Sequence, residues 1–210
     1  MWRDGGPKIV FIPGEPALFL TSRERAWKAA VKAAGLADLA NPALHFTVAS
    51  FHRMGHRFDI DNLAKPVLEC VAGQATTVWV TTRIGNEPGV RVMDEAPPPS
   101  PQDVTTIVIE SPRSRSVRPL VPMEAFIGLT PLGEPDQPIA IELAFAADST
   151  AISDFGFTGP IKPLIDGMGT VLGPAPQGPA DYRIRDLRVT KGNDPLKTGV
   201  TVKIWLAAAQ

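Results

Sequence analysis

Apolar residues along the chain fall into short segments whose spacing changes from one to the next. Lys8 to Ile12 is a nearly continuous apolar run closed by Pro13-Gly14-Glu15-Pro16, which predicts a buried strand and a turn. Ala26, Trp27, Ala30, Val31 and Ala34 recur at helical spacing between Arg23 and Ala37, with Ser22 placed to cap the first turn. Residues 44–49 predict a second strand. Phe58 to Asp61 read as a strand end, so alternation sends Asp59 and Asp61 to one side and Ile60 to the other. From Leu63 onward, Leu63, Val67 and Val71, with Leu68 alongside, trace the stripe of a helix. Residues 76–82 are strongly β-prone, and Gly85-Asn86-Glu87-Pro88 turns into a short strand over 89–93.

Residues 96–103 interrupt this pattern with four prolines, a composition that favours an extended, semi-rigid spacer. It separates a first unit, residues 8–95, from a second, residues 104–210. The second half repeats the first. Phe58 to Glu69 aligns without gaps to Phe155 to Asp166, each residue 97 positions on, so that Lys65-Pro66 meets Lys162-Pro163. Val10-Phe11-Ile12 meets Ile107-Val108-Ile109 at the same offset, and Gly89-Val90-Arg91-Val92 matches Gly199-Val200-Thr201-Val202. The fold class expected is therefore α/β: two tandem units of mixed sheet with flanking helices, packed about a pseudo-twofold axis.

Composition narrows the functional classes. With 21 Lys and Arg against 22 Asp and Glu, the formal charge is −1, which excludes a protein that coats nucleic acid through general basicity. The 22 prolines and 18 glycines among 210 residues stay below the roughly 25–30% at which a chain reads as low-complexity. A single cysteine, Cys70, permits no intrachain disulfide. No stretch approaches the ~18 apolar residues of a membrane span, and the N-terminus lacks a signal-peptide pattern, so a cytoplasmic location without membrane attachment is expected.

The candidate chemistry gathers at residues 58–69. Two neighbouring carboxylates, Asp59 and Asp61, followed one turn later by Lys65, are the oxygen donors and the cation that a magnesium-phosphate site uses. The same residues serve equally as a turn and a helix cap. Asp59-Ile60-Asp61-Asn62-Leu63-Ala64-Lys65, preceded by a strand and followed by Leu68-Glu69, resembles the signature segment of the RusA-family Holliday-junction resolvases. The resemblance implies a Mg²⁺-dependent phosphodiesterase, with Mn²⁺ as the alternative ion. Asp59 and Asp61 would be metal ligands and Lys65 a catalytic cation facing phosphate. A third aspartate follows the next helix in that family. The first half has no acid there, near Gln74, whereas Asp181 in the second half resembles it and completes the implied catalytic and metal set.

The halves have diverged at this chemistry, since Gly156 and Thr158 stand where the first half has Asp59 and Asp61. The chain thus reads as a covalent pseudo-dimer, monomeric as a chain, whose halves each keep what the other lacks. Nucleic-acid contacts are expected from the basic loop His52, Arg53, His56 and Arg57, and from Arg113, Arg115 and Arg118. Lys162, Arg183 and Arg185 join them, with 183 and 185 placed on one strand face. The resulting expectation is a structure-specific endonuclease for branched DNA in recombination and repair. The alternative is a catalytically decayed pseudo-dimer that binds nucleic acid or a protein partner without cleavage.

Overall fold

The computed structural model describes residues 9–18, 21–36, 39–50, 52–53, 56–57, 59–71, 75–112, 123–147, 157, 161–175, 178–194 and 196–208. The strands are β1 (Val10–Pro13), β2 (Pro42–Val48), β3 (His52–Arg53), β4 (His56–Arg57), β5 (Thr77–Ile84), β6 (Gly89–Asp94), β7 (Thr105–Pro112), β8 (Ile139–Ala147), β9 (Pro174–Ala175), β10 (Gly178–Pro179), β11 (Ile184–Asn193) and β12 (Lys197–Leu206). The described helices are α1 (Glu24–Ala33), α2 (Ile60–Val71), α3 (Ile161–Gly167) and α4 (Gly169–Leu172). The fold is mixed α/β. None of the helices among the described residues is long and apolar enough to cross a membrane.

Eight strands form one sheet in the order β1-β6-β2-β5-β11-β8-β12-β7. Taken from either edge, the first two pairings are antiparallel and the third is parallel. The two series meet in the antiparallel pair β5–β11, whose register runs from Thr81 opposite Asp186 to Thr77 opposite Thr190. At one edge Val10 pairs with Val92, and at the other Ile107 pairs with Val202, which lie 97 and 110 residues further along. On the inner side of β6 and β12 the register moves by two residues: Thr47 pairs with Gly89, whereas Thr201 pairs with Ala144. A shift of two keeps every side chain on its own face, so the core is undisturbed.

The core lies between the sheet and the helices. Val78, Val80, Leu187 and Val189 point toward α2 and α3, where they meet Ala64, Leu68 and Ile161. In α1 only Trp27 and Val31 are buried, a narrower stripe than its alanines promise. Its N-cap is Arg23 without a side-chain bond, so the expected Ser22 cap is not made. Where the second half would repeat α1, the described residues carry only a single 3-10 turn, Met123–Phe126.

The opposite face holds a polar row. Trp79 Nε1 donates to Asp186 Oδ1 at 2.9 Å, and Arg188 Nη2 pairs with Asp186 Oδ2 at 2.7 Å while its guanidinium lies over the Trp205 ring. The proline-rich segment between β6 and β7 crosses this face. Arg188 Nη1 donates to the Pro98 carbonyl at 2.6 Å, and the Ser100 hydroxyl bonds to Glu142. Six inter-strand steps at ~4.8 Å need ~29 Å, which about ten residues of polyproline-like chain supply at ~3.1 Å each. The linker is therefore a strap laid on a continuous sheet.

Candidate functional site

The acidic pair does not end a strand. α2 starts at Ile60, so Asp59 precedes its first residue and Asp61 lies in its first turn. Leu63 N–H donates to the Asp59 carbonyl at 3.0 Å, the first helical bond, and Asn62 Nδ2 donates to Asp59 Oδ2 at 3.0 Å. Early helix residues project around the exposed amides, where negative charge is favoured by the helix dipole. Asp59 and Asp61 are placed by the start of this helix, and not by strand alternation.

Asp181 reaches the same place from the second half. It opens the 3-10 turn Asp181–Arg183 that leads into β11, and its side chain is 12% exposed. Lys162, in the first turn of α3, brings its ammonium to 3.4 Å from Asp181 Oδ2, 4.0 Å from Asp59 Oδ2 and 3.0 Å from Asp166 Oδ1. Lys162 thus lies beside Asp59 and Asp181, supplied by segments some 120 residues apart, and its charge and that of Asp181 act on Asp61 as well.

Burial raises the Asp59 carboxyl to about 7, with the charge of Asp181, a hydrogen bond shared with it, and Asp61 adding to the effect against Lys162. Asp61 rises to about 6, again chiefly through burial, with Lys162 opposing and Asp181 adding. Burial works against the charge of Lys162, but the fields of Asp61, Asp181 and Asp166 outweigh it and hold the ammonium above its ordinary range. Oδ1 of Asp61 is shut off from solvent and meets no hydrogen-bond donor among the described residues. Asp61 also borders a void of about 20 Å³, enough for about one water, walled by Val80, Phe157, Ile161 and Leu187.

The donor set suits a hard divalent ion: carboxylate oxygens that repel one another, one of them lacking a partner. No group of three or more His, Cys, Asp or Glu among the described residues is already arranged to hold a metal. The ammonium of Lys162 lies among the acids, so an entering ion has to compete with it.

The other expected residues fall differently. Lys65 lies on α2, but the neighbouring cation that most affects Asp59 and Asp61 is Lys162. Asp166 was not foreseen in this group, although its spacing of four from Lys162 on a helix is a recognisable ion-pair signal. His52 and Arg53 pair with Arg57 and His56 in a two-residue ladder just before α2, and their side chains lie outside the described residues. So do Arg113, Arg115 and Arg118 in full.

Arg183 and Arg185 do not share a strand face. Arg183 belongs to the 3-10 turn, and β11 shifts register between Ile184 and Asp186, which takes Arg185 out of the alternation. Arg183 is 1% exposed, and its guanidinium donates to the carbonyls of Gln137 (3.0 Å), Leu172 (2.6 Å), Leu132 (2.5 Å) and Glu134 (2.8 Å). It is a buried clamp unavailable to DNA. Burial lowers Arg185 to about 10.

No protein-family model matches the chain, and no curated protein sequence matches it.

Proposed function

We propose that this chain is an internally duplicated, RusA-like phosphodiesterase that acts on branched DNA with a divalent cation. The observation that carries the proposal is the meeting of Asp59 and Asp61 with Asp181 from the other half, the third acid that the first half lacks. The strand order, the same from either edge, supports descent from a doubled unit packed about a pseudo-twofold axis. Asp59, Asp61 and Asp181 would hold Mg²⁺ or Mn²⁺, which when bound supplies Lewis acidity toward a phosphoryl oxygen.

The chain's own groups account for the rest. In hydrolysis a water oxygen bonds to phosphorus while one P–O ester bond breaks, and the departing sugar oxygen takes up a proton. Without a cation the Asp59 carboxyl is raised to about 7, so occupation of the site by a cation would release a proton near neutral pH. Lys162, 38% exposed, can turn from Asp166 toward a phosphate oxygen and offset its growing charge.

The test uses purified protein, Mg²⁺ and a synthetic four-way junction. Cleavage is expected, with at least a hundredfold loss when Asp59→Asn and Asp61→Asn are combined. Absence of cleavage, or cleavage indifferent to those changes, rejects the reading.

One observation favours the alternative of a non-cutting binder of nucleic acid or protein: the lysine lodged among the acids already supplies a positive charge. On that reading Mn²⁺ uptake is weak and unaffected by Asp59→Asn, which calorimetric titration decides.

A further inference from the structure

We infer that the outer face of α1 is a track for the sugar-phosphate backbone of duplex DNA, held by charge complementarity without regard to sequence. The choice of DNA as the polyanion rests on the phosphodiesterase reading above; the track itself rests on separate observations.

A chain with a formal charge of −1 can hold a polyanion only where its positive charge is concentrated. Residues 23–32 contain four basic residues and one acid. Trp27 and Val31 take the apolar side of α1 into the core, and the cations lie on the side turned away from it. Arg25, Lys28 and Lys32, spaced three and four apart, form one row that rises ~10 Å along the helix. Together with Thr21, Glu24 and Ala29 they line a surface cleft of about 480 Å³. A duplex presents one negative charge per ~1.7 Å of its axis, so a row of this length faces several phosphates.

The three cations differ in what already holds them. Lys28 Nζ lies 2.5 Å from Glu24 Oε1 and 2.6 Å from Glu69 Oε2, so its charge is offset and it ties α1 to α2. Arg25 and Lys32, at the two ends of the row, are exposed and make no ion pair among the described residues. Their charge is available to a partner.

The lining of the cleft decides between polyanions. It has no aromatic ring on which an unpaired base stacks, which favours a duplex over a single strand. It has no large apolar side chain to anchor a protein segment. The apolar side of α1 is turned inward, so the helix has nothing to insert into a lipid surface. Phosphate contacts from arginine and lysine position a duplex and carry no sequence information.

Fluorescence anisotropy on the full chain tests the inference, in EDTA so that no cleavage occurs, with two labelled duplexes of unrelated sequence. The native chain is expected to bind both alike. Arg25→Ala combined with Lys32→Ala, its helix content checked by circular dichroism, is expected to lose about tenfold on both duplexes. The slope of log affinity against log salt is expected to flatten by about two. Arg25→Lys with Lys32→Arg, which keeps both charges, is expected to bind like the native chain. Absence of duplex binding, or binding and a salt slope indifferent to the paired alanines, overturns the inference. Tighter binding to a single strand, to polyglutamate or to phosphatidylserine vesicles than to the duplexes overturns it as well. Duplex binding that depends on Arg25 and Lys32, with no cleavage of a four-way junction in Mg²⁺, keeps the track and removes the phosphodiesterase reading. Cleavage indifferent to both residues keeps that reading and removes the track.

Discussion

A carboxyl group that ionises reluctantly in the folded chain holds its proton more tightly there than after unfolding. Asp59, at about 7, and Asp61, at about 6, both do so. Their unfolded counterparts titrate near 4. Between about pH 4 and pH 7 the native state therefore carries more bound protons than the unfolded one. Stability falls as pH rises through that window and levels off above it, by a few kcal/mol in all. Thermal unfolding as a function of pH measures this, and Asp59→Asn with Asp61→Asn is expected to flatten the slope. Millimolar Mg²⁺ is expected to raise the melting temperature more at pH 8 than at pH 5, because the ion binds ionised carboxylates. Arg183 gives a second prediction at this scale. Arg183→Met leaves the carbonyls of Leu132, Glu134, Gln137 and Leu172 without their donor, and a loss of about 3 kcal/mol is expected in denaturant unfolding. Arg183→Lys, with a single ammonium for four acceptors, recovers only a fraction.

Among the elements, those with a strong period were legible in the sequence. The stripe of α2 and the β-branched residues of β5 declare themselves; the apolar run at β1 is a strand as expected but not a buried one, because it lies at the sheet edge with only Ile12 buried and Ile9 and Phe11 exposed. β8 escaped notice although it pairs on both sides in the sheet, because Ile139–Ala147 draws heavily on alanine, which has weak strand propensity. Asp59 and Asp61 are expected at a strand end but lie at the start of α2, a boundary that apolar spacing alone does not fix. The pairing of Arg183 with Arg185 failed at a bulge, which a period-two reading cannot register. The strap also went unforeseen: prolines announce an extended segment but not the surface it lies on. Its anchoring is testable by limited digestion with a protease specific for acidic residues. Glu95 and Asp103 flank it, and Arg188→Ala, which removes the bond to Pro98, is expected to speed cutting there severalfold while the native chain resists.

For the molecule as a whole, the join between β5 and β11 governs cooperativity. Val78, Val80, Leu187 and Val189 belong to a single buried cluster that spans both halves, so neither half keeps its inner face covered alone. A single unfolding transition is expected for the full chain by circular dichroism and fluorescence together, and two separated transitions would contradict it. The long separation between Asp59 and Asp181 also has a bearing on synthesis. Translation delivers Asp59 and Asp61 well before Lys162 and Asp181 exist, and contacts so far apart in the chain close late in folding. A chain that stops before residue 161 therefore carries Asp59 and Asp61 without Lys162 and Asp181 to set beside them.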